Sequence, residues 1–170
     1  MPRFSVDTRR STVDIGLRVN LHPSHITATG VRGTIECELD DHGRPDLERP
    51  YSAELTLPVD AISSGIGLQD REMRRRMGAS RYPVITARVV HGEPGADGDG
   101  SFRATAKLTI HGQTREVTGE VRFSLSDSTV QADAQAVINI KDFGIDPPRL
   151  IVLRVEPDVD VRAHIVAEPQ

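Results

Sequence analysis

The sequence contains no tryptophan, only two tyrosines and only four phenylalanines in 170 residues. A β domain with so few rings must fill its interior with Val, Ile, Leu and Ala, or leave part of it unfilled. Cysteine is nearly absent as well: Cys37 stands alone, which excludes an intrachain disulfide. Ile35 and Leu39 share its parity, so Cys37 is expected to be a small buried apolar residue. No stretch approaches the roughly 20 apolar residues of a membrane-spanning helix. The opening Met1-Pro2-Arg3-Phe4-Ser5 lacks the apolar run of a secretory leader, so a cytoplasmic location is expected. Charge of a single sign is missing too. The formal net charge is −4, with 21 basic and 25 acidic side chains interspersed. That balance speaks against nucleic acid as a partner, which needs a basic face to neutralise phosphates. The length suits one domain spanning 1–170.

Chemical motifs are scarce. There is no His-Glu-x-x-His pair, no Cys/His cluster with zinc spacing, no phosphate-binding glycine loop and no nucleophile elbow. His22 and His25 come nearest to a metal pair but have no carboxylate or thiol at a matching offset, and they read as a solvated loop. No metal, cofactor or catalytic residue is therefore expected.

What is present is a period of two. Val13, Ile15, Leu17, Val19 and Leu21 alternate with polar residues, as do Phe102, Ala104, Ala106, Leu108 and Ile110. Val117, Val121, Phe123 and Leu125 continue the pattern, then Val130 through Ile140, and finally Val159, Val161, Ala163 and Ile165. One apolar and one solvated face per strand marks antiparallel sheet. Further strands are expected near 31–39, 51–59 and 84–91. Turns fall between the runs, at Asp41 to Pro45, at His111-Gly112-Gln113 and at a flexible Gly92 to Gly100. The fold expected is all-β, an eight-stranded antiparallel lipocalin-like barrel, because closure removes exposed edges. A short helical insertion over about residues 60–78 interrupts it, beginning with a capped turn at Asp60 to Gly65. Asp70 is expected to cap a segment that places Met73 and Met77 on one face and arginines on the other.

The inward parity carries almost no acid or base, which argues against general acid–base catalysis. It carries small side chains instead. Ala104 and Ala106 adjoin Gly119 in hairpin order, and Ala132, Ala134 and Ala136 follow on the next strand. A barrel of about eight strands lies at the size where the interior is either just filled or able to hold one ligand. Adjacent small residues favour a cavity.

One string has a wider resemblance. Leu108-Thr109-Ile110-His111-Gly112-Gln113-Thr114-Arg115-Glu116-Val117 resembles the L-T-I-H-G-V-T-K-P-V signature of the YceI-like family, lipocalin-like proteins that bind polyisoprenoids. Four more segments resemble family motifs in the same order: Val59 to Gly65, Gln69 to Met73, Arg81 to Thr86 and Lys141 to Ile145. The resemblance implies an eight-stranded barrel with a helical insertion, its lumen holding an isoprenoid chain, fatty acid or similar amphiphile. It also implies periplasmic relatives. Three departures stand out. Glu72 occupies the position of a family histidine, Met77 to Ser80 replace an F-F-D segment, and Ala87 replaces a phenylalanine. The ligand or the pocket entrance is expected to differ accordingly.

The expected ligand-lining set is Leu17, Val19, Leu57, Met73, Met77, Ile85, Phe102, Ala104, Ala106, Leu108, Phe123, Ala134, Ala136 and Phe143. Arg71, Arg74 and Arg75, beside Arg76, are the candidate head-group contacts at the mouth. His111 is expected to fix its hairpin turn. The function expected is binding, carrying or sequestering a long apolar or amphiphilic ligand. The alternative is a barrel-chamber enzyme, a cyclase or isomerase acting on a polyketide or terpenoid. A homodimer joined through a sheet face is a third option.

Overall fold

A computed structural model of the chain describes residues 1–20, 24–95, 100–147 and 154–170. Its strands are β1 (Arg3–Val6), β2 (Thr12–Val19), β3 (Ser24–Thr29), β4 (Arg32–Glu36), β5 (Ser52–Pro58), β6 (Ile62–Ser63), β7 (Val84–Pro94), β8 (Ser101–Ile110), β9 (Gln113–Ser126), β10 (Thr129–Asn139) and β11 (Val155–Pro169). One α-helix, α1, spans Gly67–Arg76.

All pairings are antiparallel, and the short strands lie end to end. β1 and β2 occupy the same edge of β11, which bonds β1 through Ala167 to Pro169 and β2 through Val155 to His164. β3 and β4 share the opposite edges of β2 and β1. β5 and β6 follow one another along β4 and β3. From β5 the chain meanders through β7, β8, β9, β10 and β11. Counting each end-to-end pair once, eight staves close into a barrel, because β11 returns to the strand that began the chain. Closure pairs both edges and leaves no template for aggregation.

The kink between β1 and β2 has a local cause. The Asp7 carboxylate accepts from the N–H groups of Arg9 and Arg10, which turns the chain outward. Ser11, fully buried, then exchanges hydrogen bonds with the backbone of Val166 and restores the register. Between β4 and β5 the backbones approach so closely that a Cβ on Gly33 would lie 2.0 Å from the carbonyl oxygen of Glu54. With φ at +153°, that position admits glycine alone.

The register confirms the inward face. Val13, Ile15 and Leu17 stand opposite Ala163, Val161 and Val159. Those stand opposite Ala134, Ala136 and Ile138. The expected helical insertion is present but divided. A 3-10 turn at Val59–Ala61 precedes β6 and then α1. The Asp60 turn is not side-chain capped, since its N-cap is Pro58. Asp70 is also not the cap of its helix. It lies inside the first turn, buried, and its carboxylate reaches back to accept from Ser63 Oγ, Ser64 N–H and Ser64 Oγ at 2.6 to 2.9 Å. Those bonds tie the helix start to β6 and hold the Asp70 carboxyl below the usual range, the Ser64 hydroxyl contributing most. Of the loop expected at Gly92 to Gly100, the first part continues β7 to Pro94. Residues 96–99 lie outside the described residues, as do Leu21 and His22.

The barrel has two unlike ends. At the upper end lie α1, the His111-Gly112 hairpin and a 3-10 turn at Ile140–Phe143. At the lower end lie the chain termini, the long β4–β5 connection and the Asp127-Ser128 hairpin.

Candidate functional site: the barrel lumen

Two packed clusters divide the interior. One gathers Phe4, Val6, Cys37, Phe123, Val130, Ile165 and Ala167 at the lower end and climbs the β3–β6 side through Ile26, Ala28, Leu57 and Ile62. The other gathers Ile110, Ile138, Phe143, Ile145 and Val159 toward the upper end, beside the 3-10 turn that carries Phe143. Cys37 is buried as expected, and burial pushes its thiol up to about 11.

Between them, on the β7–β10 side, the lumen-facing residues belong to neither cluster. Ala87 and Val89 on β7, Ala104 and Ala106 on β8, Gly119 and Val121 on β9, and Ala134 and Ala136 on β10 form this wall. Except for Ala104, all of them are only half-buried although they face into a closed barrel. Part of that surface belongs to the outer wall, since Val121 and Ala134 border one outer concavity and Gly119 and Ala136 another; Ala87, Val89 and Ala106 border neither. The small residues of the wall lie side by side across the strand pairs. Gly119 is needed for a steric reason: a Cβ there would lie 2.6 Å from the carbonyl oxygen of Gln135.

The remaining expected lining residues take three kinds of place. Leu17, Ile85 and Met77 pack against both clusters, and Met73 and Phe102 against the lower one. Leu57, Phe123 and Phe143 are buried members of a cluster, and Leu108 packs on the upper one. Val19 stands at the upper end opposite Val155. The β7–β8 pair beside Ala104 carries a contact the sequence did not announce. The Gly92 N–H donates to the Tyr51 hydroxyl at 2.6 Å, and Leu47 lies against the same glycine. Gly92 faces Ala104 across the β7–β8 pair.

Polarity is confined to the rim. Among the described strand residues of lumen-facing register, polar side chains occur only at the upper end, at Ser24 opposite Leu17, Gln113 opposite Ile110 and Arg115 opposite Leu108. Arg115 shares the parity of Val117, a signal present in the sequence but hidden inside a turn motif. The three head-group candidates differ. Arg71 is exposed and makes no ion pair among the described residues. Arg74 is half-buried, with Nε 3.6 Å from Asp60 Oδ1 and Nη2 donating to the Asp60 carbonyl oxygen, and its Nε has no hydrogen-bond acceptor. Arg75 donates to Glu72 at 2.7 and 3.0 Å, and Arg76 donates to the same carboxylate. Those bonds, Arg75 first, pull the Glu72 carboxyl down to about 2.

His111 is the pin of the upper end. It lies in the left-handed region at φ +55°, followed by Gly112 at +72°, the two central residues of a tight hairpin turn. Its Nδ1 bonds the Phe143 carbonyl oxygen at 3.0 Å and its ring meets Tyr82 edge-on at 5.3 Å. The turn, the 3-10 segment and the end of the helical insertion are thereby joined.

Two further concavities, about 740 and 930 Å³, lie on the outer wall of β8–β11 and β2. Their projecting side chains are mainly charged or polar, including the pairs Arg18–Asp160, Arg103–Glu120 and His164–Asp133. They are saddles of the twisted sheet rather than part of the lumen.

The family model of the YceI-like domain matches residues 4–167. The chain belongs to the YceI-like family. Among solved structures, this YceI-like chain resembles BcnA of Burkholderia cenocepacia with a TM-score of 0.81 at 19% identity, covering 95% of this chain and 98% of that one. It resembles a polyisoprenoid-binding domain from Saccharophagus degradans with a TM-score of 0.70 at 16% identity, over the whole of both chains. The Campylobacter jejuni YceI protein follows with a TM-score of 0.65 at 13% identity, covering 85% of this chain and 84% of that one. At such identities these likenesses show a shared fold. No curated protein matches the YceI-like chain in sequence.

Proposed function

We propose that this YceI-like protein binds a long amphiphile, with an isoprenoid or fatty acyl chain in the lumen and the polar head at the upper rim. The observation that carries the reading is the coincidence of two gradients. The half-buried wall of Ala106, Gly119, Val121, Ala134 and Ala136 is apolar, whereas Ser24, Gln113 and Arg115 appear only at the mouth. The lower end is closed by packed side chains. Such a slot accepts a tail and keeps its head in contact with water. Binding would draw mainly on burial, at ~25 cal/mol per Å² of apolar area. The polyisoprenoid-binding domain of the same fold supports the isoprenoid option.

Arg71, Arg74 and Arg115 are the proposed head-group contacts. Arg75 contributes less, since Glu72 already occupies it. The chamber-enzyme reading finds no carboxylate or histidine on the described lumen wall; among the described residues the buried polar side chains are Ser11 and Asp70, both engaged structurally. Titration with fluorescent fatty acids and with prenyl phosphates tests the proposal. Saturable binding, competed by unlabelled prenyl phosphate and weakened by Ala106→Phe, is expected. Absence of binding by either class overturns it.

A further inference from the structure

The helix at the mouth shows a feature that ligand binding inside the barrel does not require. Ile66 and Leu68, at the start of α1, are 52% and 74% exposed. Exposure alone does not single them out, since Val137 is 53% exposed as well; what distinguishes this pair is its place at the upper end among arginines. Ser63 and Ser64 fix their position: hydrogen bonds to the buried Asp70 anchor the chain on both sides of the exposed pair, so the tip is held outward by a built framework.

The charge around the tip differs from that of the rest of the molecule. Between Asp60 and Val84 there are five arginines, at 71, 74, 75, 76 and 81, against the carboxylates Asp60, Asp70 and Glu72. The chain as a whole is at −4, so a basic segment sits at the mouth of an otherwise acidic protein. Arg71 and Arg81 are exposed, and the Arg75 side chain is 71% exposed even while it bonds Glu72. Apolar residues flanked by arginines match a lipid interface, where the apolar groups enter the acyl boundary and the cations meet anionic head groups.

We infer that the start of α1 docks this protein on an anionic lipid bilayer, with Ile66 and Leu68 inserted and Arg71 among the head groups. The acidic remainder of the chain is repelled by the same surface, which turns the upper rim toward it. The mouth of the lumen then opens at the interface. The contact is small, two apolar side chains and a few arginines, so it forms and breaks readily. This inference goes beyond the lumen reading and does not depend on it, because docking requires no occupant in the barrel.

Flotation of the full-length protein with vesicles provides the test. Binding is expected to phosphatidylcholine vesicles containing phosphatidylglycerol, to weaken as salt rises, and to be poor on phosphatidylcholine alone. The double substitution Ile66→Ser with Leu68→Ser, at exposed positions that the fold does not need, should lower the affinity by about tenfold or more. Arg71→Glu should lower it by several-fold and reduce the salt dependence. Thermal melts of both variants should match the parent. Failure of the parent protein to bind the anionic vesicles, or binding that ignores both substitutions, overturns the inference. A dimer in solution that Leu68→Ser splits, with no vesicle binding, would assign the patch to a second copy and also overturn it. Loss of fluorescent-ligand binding with vesicle binding intact would count against the lumen reading alone.

Discussion

Replacing Ala106 by phenylalanine separates a hollow barrel from a filled one. Ala106 faces the lumen between Val89 and Val117, is half-buried, and belongs to neither packed cluster. If the space beside it is empty, the added ring enters that space and loses its contact with water. Complete burial of a Phe side chain is worth about 1.5–3 kcal/mol. Some of this is offset by lost rotamer freedom, so the variant should range from unchanged to roughly 2 kcal/mol more stable. Ala167 is the matched control. It is fully buried in the lower cluster opposite Val130 and Val6. Forcing a ring into that packing should cost about 1–3 kcal/mol, which in a chain of this size lowers Tm by roughly 2–12 °C. Urea unfolding with an unchanged slope gives the comparison directly. If Ala106→Phe destabilises as much as Ala167→Phe, the interior is filled and the reasoning from half-buried inward residues fails.

Other outcomes follow from the same contacts. His111→Ala removes the bond to the Phe143 carbonyl oxygen and should cost about 1 kcal/mol, read in thermal melts, with faster amide exchange over 140–145. The Asp70 carboxyl is held below its unfolded value, so its contribution to stability is present above the usual carboxylate range. It is lost as pH falls through the depressed value, and Asp70→Asn should flatten that part of the stability profile. Cys37, with its thiol near 11, should resist thiol reagents at pH 8 in the native state and react once urea unfolds the chain. Rapid native-state labelling would show that the lower cluster is open.

The alternation in β2, β8, β9, β10 and β11 was legible because each strand keeps one face in the barrel and one in water. The inward alanines were legible for the same reason; Ala104, Ala106, Ala134 and Ala136 belong to neither cluster, whereas Ala132 packs on the lower one. β1 and β3 were not. β1 is four residues with two apolar positions, and β3 offers only Ile26 and Ala28 among polar neighbours. Both are strands because long partners, β11 and β2, present edges to them, a tertiary cause that no local pattern records. Asp70 misled for a related reason. A carboxylate near a helix start suits a cap, but of the serines that it bonds Ser63 ends β6 and Ser64 follows it directly, so their position is decided by the barrel. Tyr51 and Arg115 show two further limits. The Tyr51 hydroxyl meets Gly92 across 41 positions of chain. Arg115 carried the right parity but sat in a motif that reads as turn.

Whether the lumen holds an amphiphile is decided by a crystal structure of the protein purified gently and without organic solvent. Elongated density is expected along the β7–β10 side past Ala106 and Ala134, with its polar end near Arg115 and the start of α1. Side chains collapsed across that space, or a lumen filled by ordered water after incubation with a prenyl phosphate, would contradict the lumen reading.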